Sequence, residues 1–393
     1  MGRLTQEMDS DERRFGTGWI SGMLSVVLAV AGLSAVLCLL YPQLLTTADV
    51  RGFYNVGWIR LIVHVVLICA FSMGLLSVTL RHSKWLGATG MLLVLVASLM
   101  GGSRASQRLE GTSDVYFGLD FFLLNLILLG TIFIPIERLF RKRDQPIFRG
   151  EWREDLFYFF VSALFVQALT YLSLTPAFTV LNSTPWASGF REMIASQPLL
   201  LQFVEIMFFT DLVQYWFHRC FHEIPWLWKF HAVHHSARHM DWLAGSRMHL
   251  VEIVLLRAFT TLPMYVMGFA EPALYAYIFF VYLLSTFVHS NLRFHFGFLQ
   301  HVIATPRFHH WHHGVEKEAI NINYAVHFPL LDRLFGTHYL PGEDWPEGYG
   351  IASHPVPTGY WKQFLYPFQR PADTTSAENT ETDREEPTSG SAS

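Results

Sequence analysis

Histidine is the residue type with the clearest chemical pattern in this chain. Sixteen of its nineteen histidines lie between His218 and His338. Eight of them form three short groups with the spacings H-x-x-x-H, H-x-x-H-H and H-x-x-H-H, namely His218 and His222, then His231, His234 and His235, then His309, His312 and His313. Imidazole nitrogen binds zinc, copper, nickel and iron. Because eight imidazoles are too many for one ion and about right for two, the spacing predicts a dinuclear metal site.

The spacing also predicts how the imidazoles are shared if each group is helical. Residues four apart lie on one face of an α-helix, so His218 and His222 share a face. His231 shares its face with His234 and His235, which point about 100° apart. One of that adjacent pair can therefore face one ion while its neighbour faces the other. We predict that one ion is bound by His231, His234, His309 and His312, and that His235 and His313 turn to the second ion.

The composition indicates a membrane protein. Hydrophobic residues make up 51% of the 393-residue chain and charged residues only 15%, where about 25% charged is usual for a soluble protein. The net charge of −4 offers no nucleic-acid-binding surface. The three cysteines, Cys38, Cys69 and Cys220, form no CxxC pair, so neither a disulfide framework nor a cysteine zinc site is predicted.

Apolar segments long enough to cross a bilayer divide the chain. A membrane helix needs about twenty apolar residues, and the candidates are Trp19–Leu40, 61–80, 86–101, 115–134, 156–174, 199–217, 251–269 and 273–288. The sequence therefore predicts an all-α polytopic membrane protein with about eight transmembrane helices. We predict a four-helix region at 1–150, a unit that carries the histidines at 151–341 and a C-terminal segment at 342–393. The acidic, Ser- and Thr-rich tail at 370–393 is expected to be disordered.

The distribution of basic residues predicts the orientation in the membrane. The loop after the fourth segment holds six of them, Arg138, Arg141, Lys142, Arg143, Arg149 and Arg153. The next connection has only Arg191, and cytoplasmic loops are the basic ones. With eight spans, all three histidine groups then lie on the cytoplasmic side. We expect a multi-pass protein of the cell inner membrane or the endoplasmic reticulum, with its metal site on that side.

Further candidate site residues flank the three groups. Asp211 lies two helical turns before His218, and an acid within a membrane segment is usually paired. We expect it to bond a ligand imidazole, or else to pair with a nearby Arg or Tyr. His289, at the end of the last apolar segment, is a candidate ninth ligand, and His249 and His327 are further candidates. His310 is expected to be solvated or to cap a helix.

Sequences around the groups complete a larger pattern over roughly residues 150–341. They are Asp211-Leu-Val-Gln-Tyr-Trp-Phe-His218, Trp228-Lys-Phe-His231, Thr305-Pro-Arg-Phe-His309, and the segment from Asn323-Tyr324 to Gly336-Thr337. This pattern resembles the fatty acid hydroxylase/sterol desaturase superfamily of membrane non-haem di-iron oxygenases. The stretches Arg247-Met-His249-Leu-Val-Glu252 and His289-Ser-Asn291 also match that family. His310 within the third group and Ala325 in place of a common glycine depart from it.

The resemblance implies an enzyme that uses O₂ to oxidise an unactivated C–H bond of a fatty-acyl, sterol or other lipid substrate. It implies two iron ions as cofactors, with His289, His249 and His327 beside the eight spaced histidines as ligands. Asp211 and Asn291 are implied to be catalytic residues. The chain has no flavin, nicotinamide or haem-domain motif, so a separate ferredoxin or cytochrome-type electron donor is expected. Hydroxylation is favoured over desaturation because it needs a single hydrogen abstraction.

Two other classes of protein remain as alternatives. A histidine-rich membrane metal transporter would place its ligands near the bilayer midplane along a path, whereas here they gather at segment ends. A membrane haem protein would need paired single histidines on facing helices rather than H-x-x-H-H.

Overall fold

The computed structural model describes residues 3–8, 14–107, 115–352 and 356–369. Within these ranges the chain is helical and contains no strand longer than an isolated bridge. The α-helices are α1 (Arg3–Met8), α2 (Trp19–Leu40), α3 (Pro42–Leu45), α4 (Ala48–Arg51), α5 (Val56–Leu80), α6 (Trp85–Leu99), α7 (Leu119–Leu139), α8 (Trp152–Leu164), α9 (Val166–Ser183), α10 (Ser188–Ala195), α11 (Leu199–Glu223), α12 (Pro225–His235), α13 (Leu250–Val266), α14 (Glu271–His289), α15 (Pro306–His312), α16 (Pro329–Phe335) and α17 (Tyr360–Leu365). Short 3-10 turns cover Gly102–Arg104, Pro185–Ala187, Ala244–Ser246, Gly297–His301, Lys317–Ala319 and Tyr366–Phe368. The predicted all-α class is confirmed, while the predicted disordered tail lies outside the described residues.

Within the described ranges, five segments are long and apolar enough to cross a membrane, and they are Trp19–Leu40, Val56–Leu80, Trp85–Arg104, Leu119–Leu139 and Glu271–His289. A sixth span is possible if α8 and α9 count as one, although they meet at an angle of 64°. The predicted count of eight is therefore not confirmed. Helix α11 carries Glu205 and Asp211 in its apolar run, and α13 has only 17 residues and includes Glu252 and Arg257.

Small residues allow the first helices to pack closely. Helices α2, α5 and α6 share a buried core that includes Ala29, Ala70 and Ala97. A Cβ placed on Gly87 of α6 would lie 2.5 Å from the carbonyl oxygen of Gly74 in α5. Such close approach is how membrane helices gain packing energy, because lipid provides no hydrophobic drive between them. These helices form a scaffold beside the histidine-bearing part of the chain.

The histidine-bearing helices meet at one end of a second bundle. Helix α13 packs against α9 and α11, and α14 packs against α11 and α15. Only Ile224 separates the end of α11 from the start of α12, whose first residue is Pro225. Helix α15 likewise starts with Pro306, after Thr305, whose hydroxyl accepts the backbone N–H of Phe308. These starts place α12 and α15 beside the C-terminal ends of α11 and α14.

A buried ion-pair network fixes the segment between α12 and α13. Arg149 lies 2.6 Å from both Asp155 and Asp241, and Arg247 lies 2.5 Å from Asp155. All four residues are buried. Since breaking one member of such a network leaves a buried charge unpaired, the network holds the backbone near Arg247 rigidly. That backbone supports one of the histidines described below.

Candidate metal centre

In the part of the chain that the structure describes, nine histidines come together in two groups; eight lie in α11, α12, α14 and α15, and His313 directly follows α15. One ring nitrogen from each histidine faces the other members of its group, and these nitrogens all lie within 4.8 Å of one another. Group A consists of His218, His222, His231, His235 and His312, and group B consists of His234, His289, His309 and His313. All nine are buried except His222, which is half-buried. The structure therefore brings together all eight regularly spaced histidines and the candidate His289.

The i,i+4 spacing explains the membership of each group. The pairs 218/222 and 231/235 lie in group A, and the pair 309/313 lies in group B. The Nε2 atoms of His309 and His313 are 3.2 Å apart. The remaining histidine of α12, His234, faces group B, while the remaining histidine of α15, His312, faces group A. Helix α12 thus contributes two imidazoles to group A and one to group B, whereas the α15 segment contributes two to group B and one to group A.

The predicted partition of the ligands differs from this arrangement. It joined His231 to His234 and His309 to His312, which are pairs spaced i,i+3. At about 100° per residue, an i,i+4 pair is offset by about 40° and an i,i+3 pair by about 60° in the opposite direction. Because the i,i+4 pairs have the smaller angular offset, both members of each pair face the same group. The histidine at i+3, which is His234 in α12 and His312 in α15, faces the other group.

Protein acceptors hold the outward nitrogens of five of these rings. The contacts from Nδ1 are His218 to the Tyr324 carbonyl at 2.7 Å, His231 to Glu252 Oε1 at 2.5 Å, His234 to the Arg247 carbonyl at 3.0 Å, His289 to the Ser285 carbonyl at 2.6 Å and His312 to the Ile322 carbonyl at 2.8 Å. An acceptor opposite Nδ1 requires the ring proton there. Each Nε2 is then left as an unprotonated donor that faces the interior of its group, which is the tautomer a metal needs.

The distances between inward-facing nitrogens match those between two ligands of the same metal ion. Nε2 of His218 is 3.0 Å from Nε2 of His231, and Nε2 of His289 is 3.2 Å from Nε2 of His234. With the protons on Nδ1, no hydrogen lies between these facing lone pairs. Ligands about 2.1 Å from an ion and at right angles are about 3 Å apart. The donor set therefore fits a cation at the centre of each group.

Burial keeps the imidazoles in the neutral form that binds metals. Desolvation, followed by the neighbouring imidazoles, lowers the pKa of His231, His235 and His313 well below the ordinary histidine value. Because metal binding competes with protons for the same nitrogen, a low pKa favours binding at neutral pH.

Glu252 is a site residue to which the sequence analysis gave no role. Its Oε1 contacts His231 Nδ1, and the side chain is 1% exposed in the first turn of α13. A carboxylate behind a ligating imidazole orients the ring and raises its basicity. The available signal was an acidic residue at the start of an apolar segment, where an uncompensated charge is costly.

A glycine makes room for His289. A Cβ on Gly245 would lie 2.8 Å from Nδ1 and 3.0 Å from Cγ of that ring. Any larger residue at this position would push the imidazole away from group B. The sequence gave no sign of this requirement, because the two residues are 44 positions apart.

Two predicted ligands lie outside both groups. His249 caps α13, where its Nδ1 accepts the N–H of Val251 and its Nε2 is 3.0 Å from the Phe364 carbonyl. His327 has its Nδ1 3.3 Å from Asp211 and its Nε2 3.4 Å from the Tyr277 hydroxyl. Their nitrogens face protein groups rather than the inward nitrogens of group A or group B.

Asp211 contacts backbone rather than a ligand imidazole. Its carboxylate accepts the N–H groups of Val326, His327 and Phe328 at 2.8, 3.1 and 2.7 Å. The predicted hydrogen bond to an imidazole of the two groups is not formed, and neither is the alternative pairing with an Arg or Tyr; His218, on the same helix, is seven residues or about 10 Å away. Asp211 instead fixes the loop that presents the Tyr324 carbonyl to His218.

Asn291 and His310 support the site from outside. The Asn291 side chain accepts the N–H of Arg143 and donates to its carbonyl, both at 2.8 Å, which fastens the basic loop after α7 to the end of α14. Asn291 lies outside both groups, as does His310. Contrary to expectation His310 is buried, with its Nδ1 2.8 Å from the Tyr349 hydroxyl and its Nε2 3.3 Å from the His289 carbonyl.

Comparison with known proteins agrees with this site. Residues 203–337, which include all nine clustered histidines, match the fatty acid hydroxylase family. The chain is 28% identical to ornithine lipid hydroxylase OlsE of Rhizobium tropici over 277 residues, which cover 66% of this chain and 81% of that protein. It is 31% identical to human alkylglycerol monooxygenase over 150 residues, or 38% of this chain and 32% of that protein. A putative methylsterol monooxygenase of Dictyostelium discoideum is 25% identical over 52% of this chain and 75% of that protein.

The predicted resemblance of the histidine-bearing part of the chain to the fatty acid hydroxylase/sterol desaturase superfamily is therefore confirmed. The chain spans only about a third of the length of the alkylglycerol monooxygenase that it matches. No solved structure is significantly similar to it.

Proposed function

We propose that this protein hydroxylates an unactivated C–H bond of a membrane lipid, with O₂ as co-substrate and electrons from a separate donor protein. One observation carries the proposal: two adjacent groups of neutral imidazoles present their Nε2 atoms inward. The relatives support the reaction class, since they are named as lipid hydroxylases and monooxygenases. A transporter is not supported, because the donors form one compact buried cluster rather than a path.

The residues of groups A and B would hold one iron ion each. Bound iron would supply the redox chemistry that activates O₂, which protein side chains cannot do unaided. The five outer acceptors keep the rings oriented while the charge at the site changes. Glu252 would offset part of the positive charge from its place behind His231. His249 and His327 are not included among the proposed ligands.

The position of the site suits a lipid substrate. His222 and His289 lie in the last turns of α11 and α14, and α14 is apolar enough to cross a membrane. An acyl chain that lies along these helices would therefore reach the imidazoles with its polar end or with carbons near it. Aromatic packing around the helices, such as the rings of Phe217 and Phe259 stacked at 3.9 Å, would exclude water from the apolar approach.

The basic loop supports a cytoplasmic location for the site. Asn291 joins that loop, through Arg143, to the same end of α14 that bears His289. Loops rich in Lys and Arg face the cytoplasm, so we place the histidines on that side. An electron donor dissolved in the cytoplasm would then reach the site without crossing the bilayer.

Mass spectrometry of membrane lipids tests the proposed reaction. Lipids from cells that produce the protein are compared with lipids from cells that produce a His309→Ala, His313→Ala double variant, both grown under ¹⁸O₂. A lipid that gains one ¹⁸O atom only in the presence of the unaltered protein supports hydroxylation. A lipid that loses two hydrogens without gaining oxygen indicates desaturation. Identical lipids in both cultures, with both proteins present in the membrane, would contradict the proposal.

A further inference from the structure

The segment 323–337 leaves the histidine groups and returns towards them. It starts beside His312 of group A, whose Nδ1 is 2.8 Å from the carbonyl of Ile322. Its two ends are joined, because the N–H of Asn323 donates to the carbonyl of Thr337 at 2.9 Å. An irregular stretch and the short helix α16 lie between these ends. The segment is therefore a hairpin with a closed neck.

The far end of this hairpin lies deep along α14. His327 Nε2 is 3.4 Å from the hydroxyl of Tyr277. Tyr277 comes twelve residues, or about 18 Å of helix rise, before His289, which ends α14. The whole helix has 19 residues and is about 28 Å long, close to the thickness of about 30 Å of the hydrocarbon core. His327 therefore lies past the middle of this candidate membrane span.

Helix α11 gives a second measure of the same depth. The hydroxyl groups of Thr210 in α11 and Tyr277 in α14 are 2.8 Å apart, so the two helices are level at this point. The next residue, Asp211, accepts the backbone N–H groups of residues 326–328. Asp211 comes eleven residues, or about 16 Å, before His222 of group A. Both helices thus place the same backbone far below the histidine groups.

Two carboxylates satisfy the backbone of the deep stretch. Five consecutive N–H groups, from Tyr324 to Phe328, donate to the side chains of Asp332 and Asp211 at 2.7 to 3.1 Å. Both aspartates are fully buried. Non-helical backbone is tolerated at membrane depth only where protein groups replace the hydrogen bonds that water would make. The stretch meets this condition.

The outer face of α16 is apolar and exposed. Leu330 and Leu334 are four residues apart and share a face, and they are 50% and 65% exposed, whereas Leu331 is buried. This face is continuous with the exposed surface of α11, because the ring centroids of Phe335 and Trp216 are 4.9 Å apart and both side chains are exposed. A surface of this composition at this depth fits the acyl chains of a bilayer.

Helix α16 runs back towards the histidine end of the bundle. The ring of Phe335, its last residue, is 5.0 Å from that of Tyr215, which is only seven residues, or about 10 Å, before His222. The exposed cation Arg333 lies in this last turn, with its guanidinium 2.5 Å from Nδ1 of His301. A long basic side chain can reach polar surroundings while its stem stays on apolar surface. The position of Arg333 is therefore compatible with a helix inside the membrane.

We propose that residues 323–337 form a re-entrant hairpin, which enters the bilayer from the side that bears the histidines and returns to that side. The exposed face of α16, with Leu330 and Leu334, contacts lipid acyl chains. The inference depends on α14 crossing the membrane and is independent of the proposed reaction. It gives a reason for the acid within α11, since Asp211 bonds the backbone at the deep end of the hairpin.

Fluorescence quenching in lipid vesicles tests the inference on the full-length, iron-loaded protein. The three native cysteines, Cys38, Cys69 and Cys220, are replaced by Ala. Leu330→Cys or Leu334→Cys is then introduced and labelled with a bimane. One quencher is phosphatidylcholine brominated on its acyl chains, and the other is iodide in the water on both sides of the membrane.

Two further labelled positions serve as controls. Phe279→Cys lies on the exposed surface of α14 and reports contact with lipid, whereas Ile320→Cys is an equally apolar, exposed position next to the charged run Glu316-Lys-Glu318 and reports contact with water. We expect brominated lipid to remove most of the fluorescence at Leu330 and Leu334, as at Phe279. Iodide should quench the label at Ile320 and leave the other three almost unchanged.

Quenching at Leu330 and Leu334 by iodide and not by brominated lipid would overturn the inference. So would protection from both quenchers, which would show that protein covers this face. If Leu330→Cys lowers the thermal midpoint, the Leu334→Cys variant decides alone. Failure of the proposed function would appear as a missing oxidised lipid and would leave the quenching unchanged.

Discussion

The carboxylate of Glu252 lies 2.5 Å from Nδ1 of His231, a member of group A, and both side chains are buried. Four other histidines receive a neutral backbone carbonyl at the same position. Group A alone therefore has a side-chain acid behind one of its rings. An ionised carboxylate makes a stronger hydrogen bond than a neutral carbonyl, so Glu252 in its ionised form would make His231 the most firmly oriented ring of the two groups.

Replacement of Glu252 by Gln should weaken metal binding at group A. The amide keeps the shape of the side chain but removes its charge, so its bond to His231 weakens. Partners of this kind are worth about 10- to 100-fold in metal affinity. Iron retention during dialysis against a chelator, measured by elemental analysis, checks this. The control is Glu223→Gln, whose side chain pairs with Arg219 on the exposed side of α11, and unchanged retention in Glu252→Gln would contradict the role.

Replacement of Gly245 by Ala should disturb group B selectively. The added Cβ would lie 2.8 Å from His289 Nδ1, so the ring must move away from its partners. We expect a loss of metal from group B with little change in group A. Gly189→Ala is a matched control, since a Cβ there meets nothing within 4 Å. Iron per chain and the thermal midpoint are measured for both variants, and full iron content in Gly245→Ala would show that His289 is not a required ligand.

His249 and His289 should respond differently to replacement by Ala. Loss of His249 removes the cap of α13 and the contact with Phe364, which costs about 1 kcal/mol of stability. It should leave the iron content intact, whereas His289→Ala should lower it. A His249→Ala protein that is folded but lacks iron would restore His249 as a ligand.

Asp211→Asn should destabilise the loop around residues 326–328 rather than remove iron directly. The carboxylate accepts three backbone N–H groups, and the neutral amide is a weaker acceptor with one oxygen fewer. We expect a loss of about 1–3 kcal/mol, seen as a lower thermal midpoint and faster hydrogen exchange in that loop. Unchanged exchange there would argue against this anchoring role.

Sequence spacing was enough to predict that eight of the nine clustered histidines come together, because H-x-x-H-H on a helix leaves few arrangements. It could not predict how the two groups share them. That depends on how α12 and α15 face each other, which decides that His234 crosses to group B and His312 to group A. A difference of about 20° between the two helical offsets was too small to settle by counting residues.

Supporting residues were harder to predict than the clustered histidines. Asp211 was recognised as costly to bury, but its partners are backbone N–H groups 115 or more positions away. His249 and His327 have the right residue type near the right motifs, and only tertiary contacts separate them from the ligands. The eight predicted spans relied on apolar length, which α11 and α13 satisfy only partly because acids within them serve the site.

Metal stoichiometry tests the existence of two separate groups most directly. Iron per chain is measured in the purified protein and in a His309→Ala, His313→Ala double variant, which removes the i,i+4 pair of group B and leaves group A complete. The arrangement predicts two ions per chain in the first protein and one in the second. One ion or none in the unaltered protein, or two in the variant, would contradict it.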